Sequence, residues 1–314
     1  MFSIPLIISK SIEINKPAPE VFDYLSDFKN WQTWSPWICM EPSCPVSFEG
    51  NPTELGHRQS WDGKFIGSGT MSLIKIIPNK VLSYDLRFLK PWKSESKTQF
   101  VFEETSAGTK VTWNMQGSLP FFLFFFKKMM TALITMDYDR GLNMLKEVLE
   151  TGSTTTKTSY DGVTSQDSFH YVGIRRTCKM DDMPSSMEED FQTLNKLIED
   201  GKIKSPKLGL SFYHKYDFVK SECDYTSGYI IEEPAINSTE LNLVSGTVKS
   251  HKGLKVKHLG PYKHLGNAWT AAQTIMRSQK MKCQKGIHPY EIYRSMPGKV
   301  LDTEIETDIY IPVK

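Results

Sequence analysis

The chain is poor in cysteine and has no apolar run long enough to span a membrane. Its five cysteines are scattered, without a C-x-x-C motif or a Cys/His cluster at zinc spacing. The most apolar run, Leu119–Phe126, stops after eight residues at Lys127 and Lys128, whereas a membrane helix needs about 20. The N terminus, MFSIPLIISKSIEI, has no basic segment before its apolar residues and predicts a strand rather than a signal peptide. Together these absences predict a reduced, cytoplasmic protein.

An excess of positive charge is also missing. Lysine and arginine total 38 against 36 acidic residues, which leaves a net charge of +2. Residues 1–150 contain 16 charges of each sign, and the remainder contains 22 basic and 20 acidic residues. This balance disfavours direct binding of nucleic acid. In the basic stretch Lys249–His264, Lys255 and Lys257 alternate with Val256, which predicts the solvent side of a strand rather than a phosphate-binding stripe.

Familiar catalytic and cofactor signatures are absent as well. The sequence contains no P-loop, G-x-G-x-x-G, H-E-x-x-H or G-x-S-x-G motif. In the first half, His57 and Asp62 have neither a nucleophile nor a third partner nearby in sequence. We therefore expect no cofactor and no metal ion, and no motif identifies an enzyme.

What the chain does contain is enough sequence for two domains. It has 314 residues, and 39% of them are hydrophobic; a domain usually takes about 100–200 residues. Residues 151–167 are rich in Thr, Ser and Gly with almost no apolar side chains, which predicts a linker. The expected domains are therefore residues 1–150 and 168–314.

The first half predicts a strand, a short helix, six further strands and a long C-terminal helix. Val21, Phe22 and Leu25 have helical spacing, and the region 120–150 ends in an apolar stripe typical of a packed helix. The six strands are expected at 45–49, 57–62, 67–77, 81–89, 95–104 and 109–118.

Aromatic residues are concentrated in this half. Most of its tryptophans are expected in the core, and some could line a cavity: Trp31, Trp34, Trp37, Trp61, Trp92 and Trp113. For the run PFFLFFF we expect packing of its helix onto the sheet, because an exposed patch of that size favours aggregation. A lid over a cavity and a contact with lipid are the alternatives.

Two segments of this half resemble a known family. INKPAPEVFDYLSDFKNWQTWSPW is similar to the opening of the polyketide cyclase/START-like (SRPBCC) superfamily, and DYDRGLNMLKEVLE is similar to the end of its long C-terminal helix. The resemblance covers residues 1–150 and implies the helix-grip fold. It implies a cavity between sheet and helix, and no fixed catalytic set.

The second half contains an internal repeat. A strand at 168–177, a helix marked by Phe191 and Leu194, and strands at 207–216 and 224–232 form the first unit. The pattern restarts with strands at 239–248 and 254–260, a helix containing Trp269, and strands at 288–294 and 303–313. Two such strand–helix–strand–strand units are expected to pair about a pseudo-twofold axis and leave a cleft between them. Both halves are therefore predicted to be α+β.

This half resembles the GyrI-like, or effector-binding, family found at the C termini of AraC- and MerR-type regulators. The matching pieces are CDYTSGYII, HLGPYKHLGNAW, HPYEIYRSMP and TDIYIPVK, in the family's order. The resemblance implies a bacterial small-molecule-binding domain. We expect no helix-turn-helix segment and hence no direct contact with nucleic acid.

Glu291 is the sharpest site candidate in this half. Strand periodicity places Glu291 and Tyr293 on one face and Tyr290 and Ile292 on the other. A carboxylate among aromatic residues has a raised pKa unless a cation pairs with it, so it suits binding of a cation or acid–base catalysis. The other reading is an exposed Glu that keeps an edge strand soluble. The resemblance implies that this glutamate is the pocket acid.

Further aromatic side chains are candidates for the cleft walls. These are Tyr293, Tyr262, Trp269 and Tyr310, and the resemblance favours the cleft for Tyr293 and Tyr262. By the internal repeat, Tyr171 and Phe212 or Tyr213 are expected to approach from the opposite half. The alternative for each is ordinary core packing, which the sequence favours for Trp269.

Three functions remain open on the sequence. The first is non-catalytic binding of an apolar or amphipathic small molecule, either neutral or cationic. The second is hydrolysis of an electrophilic small molecule, with Glu291 as general base and Tyr293 or Tyr262 polarising the substrate. The third, which the family's name implies, is modulation of a protein partner, as by a gyrase inhibitor.

Overall fold

Alternating apolar residues begin the chain and form the first strand, β1 (Ser3–Ile14), whose Leu6, Ile8 and Ile14 are buried. The computed structural model describes residues 3–233 and 242–314. Contacts divide the chain into two compact units, Met1–Thr154 and Thr155–Lys314.

The first unit is a seven-stranded antiparallel sheet with one long helix. After β1 come α1 (Ala18–Ser26) and two short 3-10 turns, then β2 (Val46–Glu49), β3 (Arg58–Asp62), β4 (Ser68–Ile77), β5 (Val81–Lys90), β6 (Ser94–Thr105), β7 (Gly108–Pro120) and α2 (Lys127–Thr151). The strand order is β1-β7-β6-β5-β4-β3-β2. The six strands expected after α1 are thus present, and the fold is the α+β arrangement that the sequence predicts.

The core of this unit is largely aromatic. Trp31, Trp34 and Trp113 are almost completely buried beside Tyr84, Phe100 and Tyr138. Trp113 stacks on Tyr138 with 3.9 Å between the ring centroids, so the middle of β7 and the middle of α2 are held together by a ring contact. Trp92, by contrast, is 71% exposed.

The expected packing of the run PFFLFFF is wrong. Phe121–Phe126 forms a 3-10 segment ahead of α2, with no buried residue. A kink at Leu123 (φ −98°, ψ 15°) interrupts the helical geometry, so the segment lacks the single apolar stripe that a continuous helix would bury against the sheet.

Over its described residues, 155–233 and 242–314, the second unit is an eight-stranded antiparallel sheet with two α-helices. Its elements are β8 (Lys157–Gln166), β9 (Phe169–Lys179), α3 (Met183–Glu199), β10 (Pro206–Asp217), β11 (Glu222–Ile231), β12 (Leu243–Val248), β13 (His251–Leu259), α4 (Leu265–Ser278), β14 (Tyr290–Tyr293) and β15 (Glu306–Val313). The strand order is β12-β9-β11-β10-β14-β15-β13-β8. The first residues of the strand predicted at 239–248 lie outside the described residues.

The internal repeat is visible in the strand order. The order β9-β11-β10 in one half matches β13-β15-β14 in the other, and the two halves join where β10 pairs with β14. The strand that precedes each repeat pairs with the opposite repeat, β8 with β13 and β12 with β9. Each repeat therefore has one strand more than the expected strand–helix–strand–strand unit.

The predicted linker at 151–167 is wrong over most of its length. α2 continues to Thr151, and residues Lys157–Gln166 form the edge strand β8. Its polar side chains are compatible with an edge position, because one face and one border of such a strand meet water. Threonine, which is frequent here, also favours strands.

No helix among the described residues is both long and apolar enough to cross a membrane. Within the same residues, no group of three or more His, Cys, Asp and Glu side chains is placed to hold a metal ion.

Candidate functional site

The two central strands of the second unit bring the candidate acid to the middle of the sheet. Ser211 of β10 lies opposite Glu291 of β14 in the register. Pro289 immediately precedes β14, whose four residues Tyr290–Tyr293 are all buried. α3 packs on β9 and β11, whereas α4 packs mainly on β13, with fewer contacts to β15 and β8. Glu291 therefore lies over the central strands, between the regions that the two helices cover.

The carboxylate of Glu291 accepts hydrogen bonds from three aromatic side chains. Trp269 of α4 donates its indole N–H to Oε1, and the Tyr293 hydroxyl donates to Oε2 at 2.8 Å. The Tyr213 hydroxyl also bonds this carboxylate. Ser211 Oγ lies 2.9 Å from the Tyr293 hydroxyl oxygen and orients it. The exposed edge-strand interpretation of Glu291 is wrong, because its side chain is only 1% exposed.

The hydrogen-bonding partners described for Glu291 include no cation. Within the described residues no lysine, arginine or histidine forms an ion pair with it, and its hydrogen-bond donors are all neutral. Burial raises the pKa of the Glu291 carboxyl, and the bonds from Trp269, Tyr293 and Tyr213 act in the opposite direction.

The same burial keeps the tyrosines protonated. Desolvation first, and the nearby Glu291 charge second, raise the pKa of Tyr213 and of Tyr293 well above the ordinary value. Both hydroxyls are therefore donors at any physiological pH, and they stabilise the ionised carboxylate more than the neutral carboxyl, because hydrogen bonds to a charged acceptor are stronger.

Two aromatic residues connect the buried acid with the surface. Trp269 is half-buried, and Tyr262 is 37% exposed with its ring centroid 5.5 Å from that of Tyr293. Phe191 of α3 meets Tyr293 edge-on at 5.8 Å from the other side. A ligand can reach Glu291 only if some of these rings move aside, because the carboxylate itself is covered.

The sequence-predicted site residues divide between the two faces of the sheet. The structure brings Glu291, Tyr293, Tyr262 and Trp269 together, and Tyr213, the alternative to Phe212, joins them. On the opposite face lie Tyr310, Tyr171 and Phe212.

The three residues on the opposite face form a separate aromatic cluster around Tyr290. Tyr310 stacks on Tyr290 at 5.0 Å, and Phe212 lies 5.6 Å from Tyr290 and 4.7 Å from Tyr171. The register explains this placement, since Tyr310 lies opposite Tyr290 and Phe212 lies opposite Tyr290 on the other side. Tyr310, Tyr171 and Phe212 are therefore not brought to Glu291, contrary to the expectation.

Sequence reasoning missed Ser211 and Phe191 as members of the Glu291 cluster. Ser211 could have been found from the alternation Ser211–Tyr213 in β10, but only with the β10–β14 register known. Phe191 carried no signal beyond its place on the apolar stripe of α3.

The first unit contains a separate apolar cavity of about 80 Å³, lined among others by Trp61, Met71, Leu86 and Phe88. Two of its polar lining side chains are bonded within the protein, as Trp113 Nε1 donates to Thr98 Oγ1 at 2.7 Å and Thr98 donates to the carbonyl of Asn114. None of the lining residues is charged. This volume holds several water molecules, and the lining suits an apolar guest.

Two family models match the chain, one over each of the two compact units. Residues 5–150 match the model described as polyketide cyclase / dehydrase and lipid transport. Residues 163–314 match the model described as GyrI-like small molecule binding domain. No curated protein matches the chain.

Several solved structures are similar to parts of the chain. Protein MLL2253 from Mesorhizobium loti is 17% identical, with 46% of this chain and 96% of that chain covered and a TM-score of 0.37. The Aha1 dimer from Colwellia psychrerythraea is 18% identical, covering 47% and 98% with a TM-score of 0.36. EcmrR in its DNA complex is 13% identical, covering 62% and 72% with a TM-score of 0.42.

Proposed function

The chain joins a domain of the polyketide cyclase / dehydrase and lipid transport family to a GyrI-like small molecule binding domain, and from this premise we propose that it binds an amphipathic aromatic cation at Glu291. The observation that carries the proposal is a fully buried carboxylate that has aromatic donors around it and, in the part of the chain that the structure describes, no ion pair with a cation.

A buried charge without a counter-ion costs several kcal/mol. The free protein reduces this cost by hydrogen bonds, while burial shifts the pKa of Glu291 upward, towards the neutral form. A cationic ligand would supply the missing charge and favour the ionised form. The rings of Trp269, Tyr262 and Tyr293 would contact the apolar and cationic surface of such a ligand by stacking and cation–π interaction.

Hydrolysis is the second candidate, and the Glu291–Tyr293 hydrogen bond of 2.8 Å supports it, because it pairs a carboxylate with a protonated hydroxyl. The number of donors argues against it. A carboxylate offers about four acceptor positions, and three are taken by Trp269, Tyr293 and Tyr213. Each of these bonds makes Glu291 a weaker base for activating water.

In this proposal the cavity of the first unit binds a different class of ligand. Its uncharged, mostly aromatic lining suits a neutral apolar molecule. The proposed location is the bacterial cytoplasm, which the five free cysteines support.

Binding of an isosteric pair of probes tests the proposal. N-methylquinolinium and neutral methylnaphthalene have nearly the same shape and differ in charge. We expect wild type to prefer the cation, and Glu291→Gln to lower affinity for the cation about a hundredfold or more while affinity for the neutral probe changes little. Calorimetric titration measures both affinities.

Glu199→Gln is the matched control, because Glu199 is exposed on the last turn of α3 and carries the same charge change. Equal losses for both probes in Glu291→Gln, or an equal loss in Glu199→Gln, would contradict the proposal. Mass spectrometry of the ligands after incubation separates the second candidate, since an electrophile consumed by wild type and spared by Glu291→Gln would identify a hydrolase.

A further inference from the structure

The surface of the first unit carries an aromatic segment that its core does not use. Five of the six side chains of Phe121–Phe126 are strongly exposed: Phe121 61%, Phe122 66%, Phe124 60%, Phe125 61% and Phe126 41%. They contact one another, as in the pair Phe125–Phe126 with ring centroids 4.4 Å apart. Single exposed apolar residues are ordinary, but a contiguous patch of this kind indicates an interaction surface.

The sheet brings two further loops to the same end. β7 leads into the aromatic segment, while β5 ends and β6 begins beside it, because Lys97 lies opposite Gln116 in the register. The β3–β4 loop lies there too, since Ser68 pairs with Lys90. We call residues 63–67, 89–93 and 121–128 together the aromatic end. The β5–β6 turn adds Trp92, 71% exposed, and the end of β5 adds Leu89, 50% exposed.

The aromatic end is also positively charged. Its cationic side chains are five lysines: Lys64, Lys90, Lys93, Lys127 and Lys128. Three acidic residues lie beside them. Asp62 lies 3.2 Å from Lys90, Glu95 lies 3.8 Å from Arg87, and the buried Glu41 accepts hydrogen bonds from backbone N–H groups of residues 64–66. Among the described residues, neither Lys127 nor Lys128 forms an ion pair.

We propose that the aromatic end docks on the surface of an anionic lipid bilayer. Phenylalanine and tryptophan side chains favour the boundary between headgroups and acyl chains, and lysines beside them attract anionic headgroups. The exposed rings would enter this boundary, while Lys127, Lys128 and the lysines of the two loops would remain at the level of the phosphates.

The same end contains part of the apolar cavity. Ile66 and Phe88 line the cavity, and Trp61 contacts Phe88 edge-on at 5.9 Å. All three lie where β3, β4 and β5 reach the aromatic end. A docked protein would therefore present the cavity to the bilayer. The inference rests on these residues and not on the proposal for Glu291.

A second copy of the chain is a poorer occupant of this surface. A twofold interface places the same patch against itself. The five lysines of one copy would then face those of the other, and like charges brought together across an interface cost several kcal/mol. An anionic bilayer satisfies both the rings and the lysines.

Vesicle flotation with the full chain tests the proposal. The probes are vesicles of phosphatidylcholine alone and of an equal mixture of phosphatidylcholine and phosphatidylglycerol. We expect wild type to partition onto the mixed vesicles and only weakly onto the neutral ones, with binding reduced at high salt.

Two variants separate the apolar and electrostatic contributions. Phe122→Ser/Phe125→Ser should weaken partition at least about a hundredfold, and Lys127→Gln/Lys128→Gln should weaken it about thirtyfold. The matched controls are Leu55→Ser/Val219→Ser, at exposed apolar positions elsewhere, and Lys204→Gln/Lys299→Gln, at exposed lysines of the second unit. Both controls should bind like wild type.

Circular dichroism establishes that each variant is folded, which we expect because the changed side chains are exposed. Wild type that fails to bind mixed vesicles, or Phe122→Ser/Phe125→Ser that binds them like wild type, would overturn the proposal. So would a dimer in sedimentation velocity that Phe122→Ser/Phe125→Ser abolishes while vesicle binding is absent, because the patch would then be a protein interface.

Discussion

Each unit buries a glutamate that accepts three hydrogen bonds, and the two sites differ in where the donors come from. Glu41 in the first unit is bonded by the backbone N–H groups of Lys64, Phe65 and Ile66 at 2.7, 2.8 and 3.1 Å. Glu291 in the second unit is bonded by the side chains of Trp269, Tyr293 and Tyr213.

The source of the donors decides what each carboxylate can do. Backbone donors belong to the β3–β4 loop and cannot leave without unfolding it, so Glu41 is a structural clamp. Side-chain donors can rotate towards a ligand, and Trp269 and Tyr262 are partly exposed already. A buried acid therefore indicates a binding site only when its partners are themselves able to move.

Among the variants that test this comparison, Glu41→Ala should have the largest effect, and the effect should be on stability. The change leaves three backbone N–H groups in a partly buried loop without an acceptor, and each costs about 1–3 kcal/mol. We expect the free energy of unfolding of the first unit to fall by about 3–5 kcal/mol. Six of the seven tryptophans lie in this unit, so fluorescence in a urea titration measures it.

Glu41→Gln is the companion variant, since its amide oxygen keeps part of the acceptor capacity and should lose less stability. A loss below about 1 kcal/mol in Glu41→Ala would mean that the loop does not depend on Glu41, and the contrast with Glu291 would no longer hold.

Tyr293→Phe should have the next largest effect, on binding rather than on folding. It removes a hydrogen bond to the ionised carboxylate, and such a bond contributes about 1.5–3 kcal/mol. Affinity for N-methylquinolinium should fall about ten- to hundredfold. The pH at which binding is half-lost should also move upward, because the donor that lowers the pKa of Glu291 is gone. Titrations over a pH series measure both quantities, and an unchanged pH midpoint would argue against this role.

Glu291→Gln should change the pH dependence of stability. Burial raises the pKa of Glu291 above the ordinary value of 4.5, so the neutral carboxyl favours folding below pH 4.5. This contribution is lost as pH rises through the raised pKa. Without ligand, the Gln variant should therefore be more stable than wild type at neutral pH, by about 1 kcal/mol or more, and the difference should vanish in acid.

Hydrogen exchange of peptides from β10 and β14 measures the stability of this region separately from the first unit. A Gln variant less stable than wild type at neutral pH would show that the three donors outweigh the desolvation of the charge.

The smallest effect on cation binding should come from Tyr310→Phe. Tyr310 lies on the opposite face of the sheet, with its hydroxyl 3.1 Å from Arg294 Nη2 and 3.3 Å from Asp308 Oδ2. We expect stability to fall by about 1 kcal/mol and cation affinity to stay within twofold of wild type, a difference of less than about 0.5 kcal/mol. A tenfold loss of affinity, measured by the same titration as for Tyr293→Phe, would mean that Tyr310 contributes to the cation site.

Much of the second unit could be predicted because the spacing of its apolar residues shows the repeat. The expected strand–helix–strand–strand order is present in both halves. The strand β8 escaped prediction because Ser, Thr and Gly are read as linker residues, and because its partner β13 is about ninety residues away in the chain. The repeat itself indicated a missing strand, since two strands were predicted before the helix of the second repeat and only one before the helix of the first.

The site was predictable where it depends only on the alternation of side chains along one strand. Glu291 and Tyr293 share a face by alternation alone, and the hydrogen bond between them follows. Tyr310, Tyr171 and Phe212 were misplaced because their face depends on the register with neighbouring strands. A shift of one residue in register moves a side chain to the other side of the sheet.

The sequence by itself determined the local elements, the two α+β halves and the resemblance of each half to a family. These properties arise from short-range patterns of apolar, turn-forming and motif residues. Only the tertiary structure decided that Glu291 is buried without a cation, that Trp269 bonds it rather than only packing, and that the phenylalanine run is exposed. Those properties depend on which distant segments meet, and burial and hydrogen bonding are set by such long-range contacts.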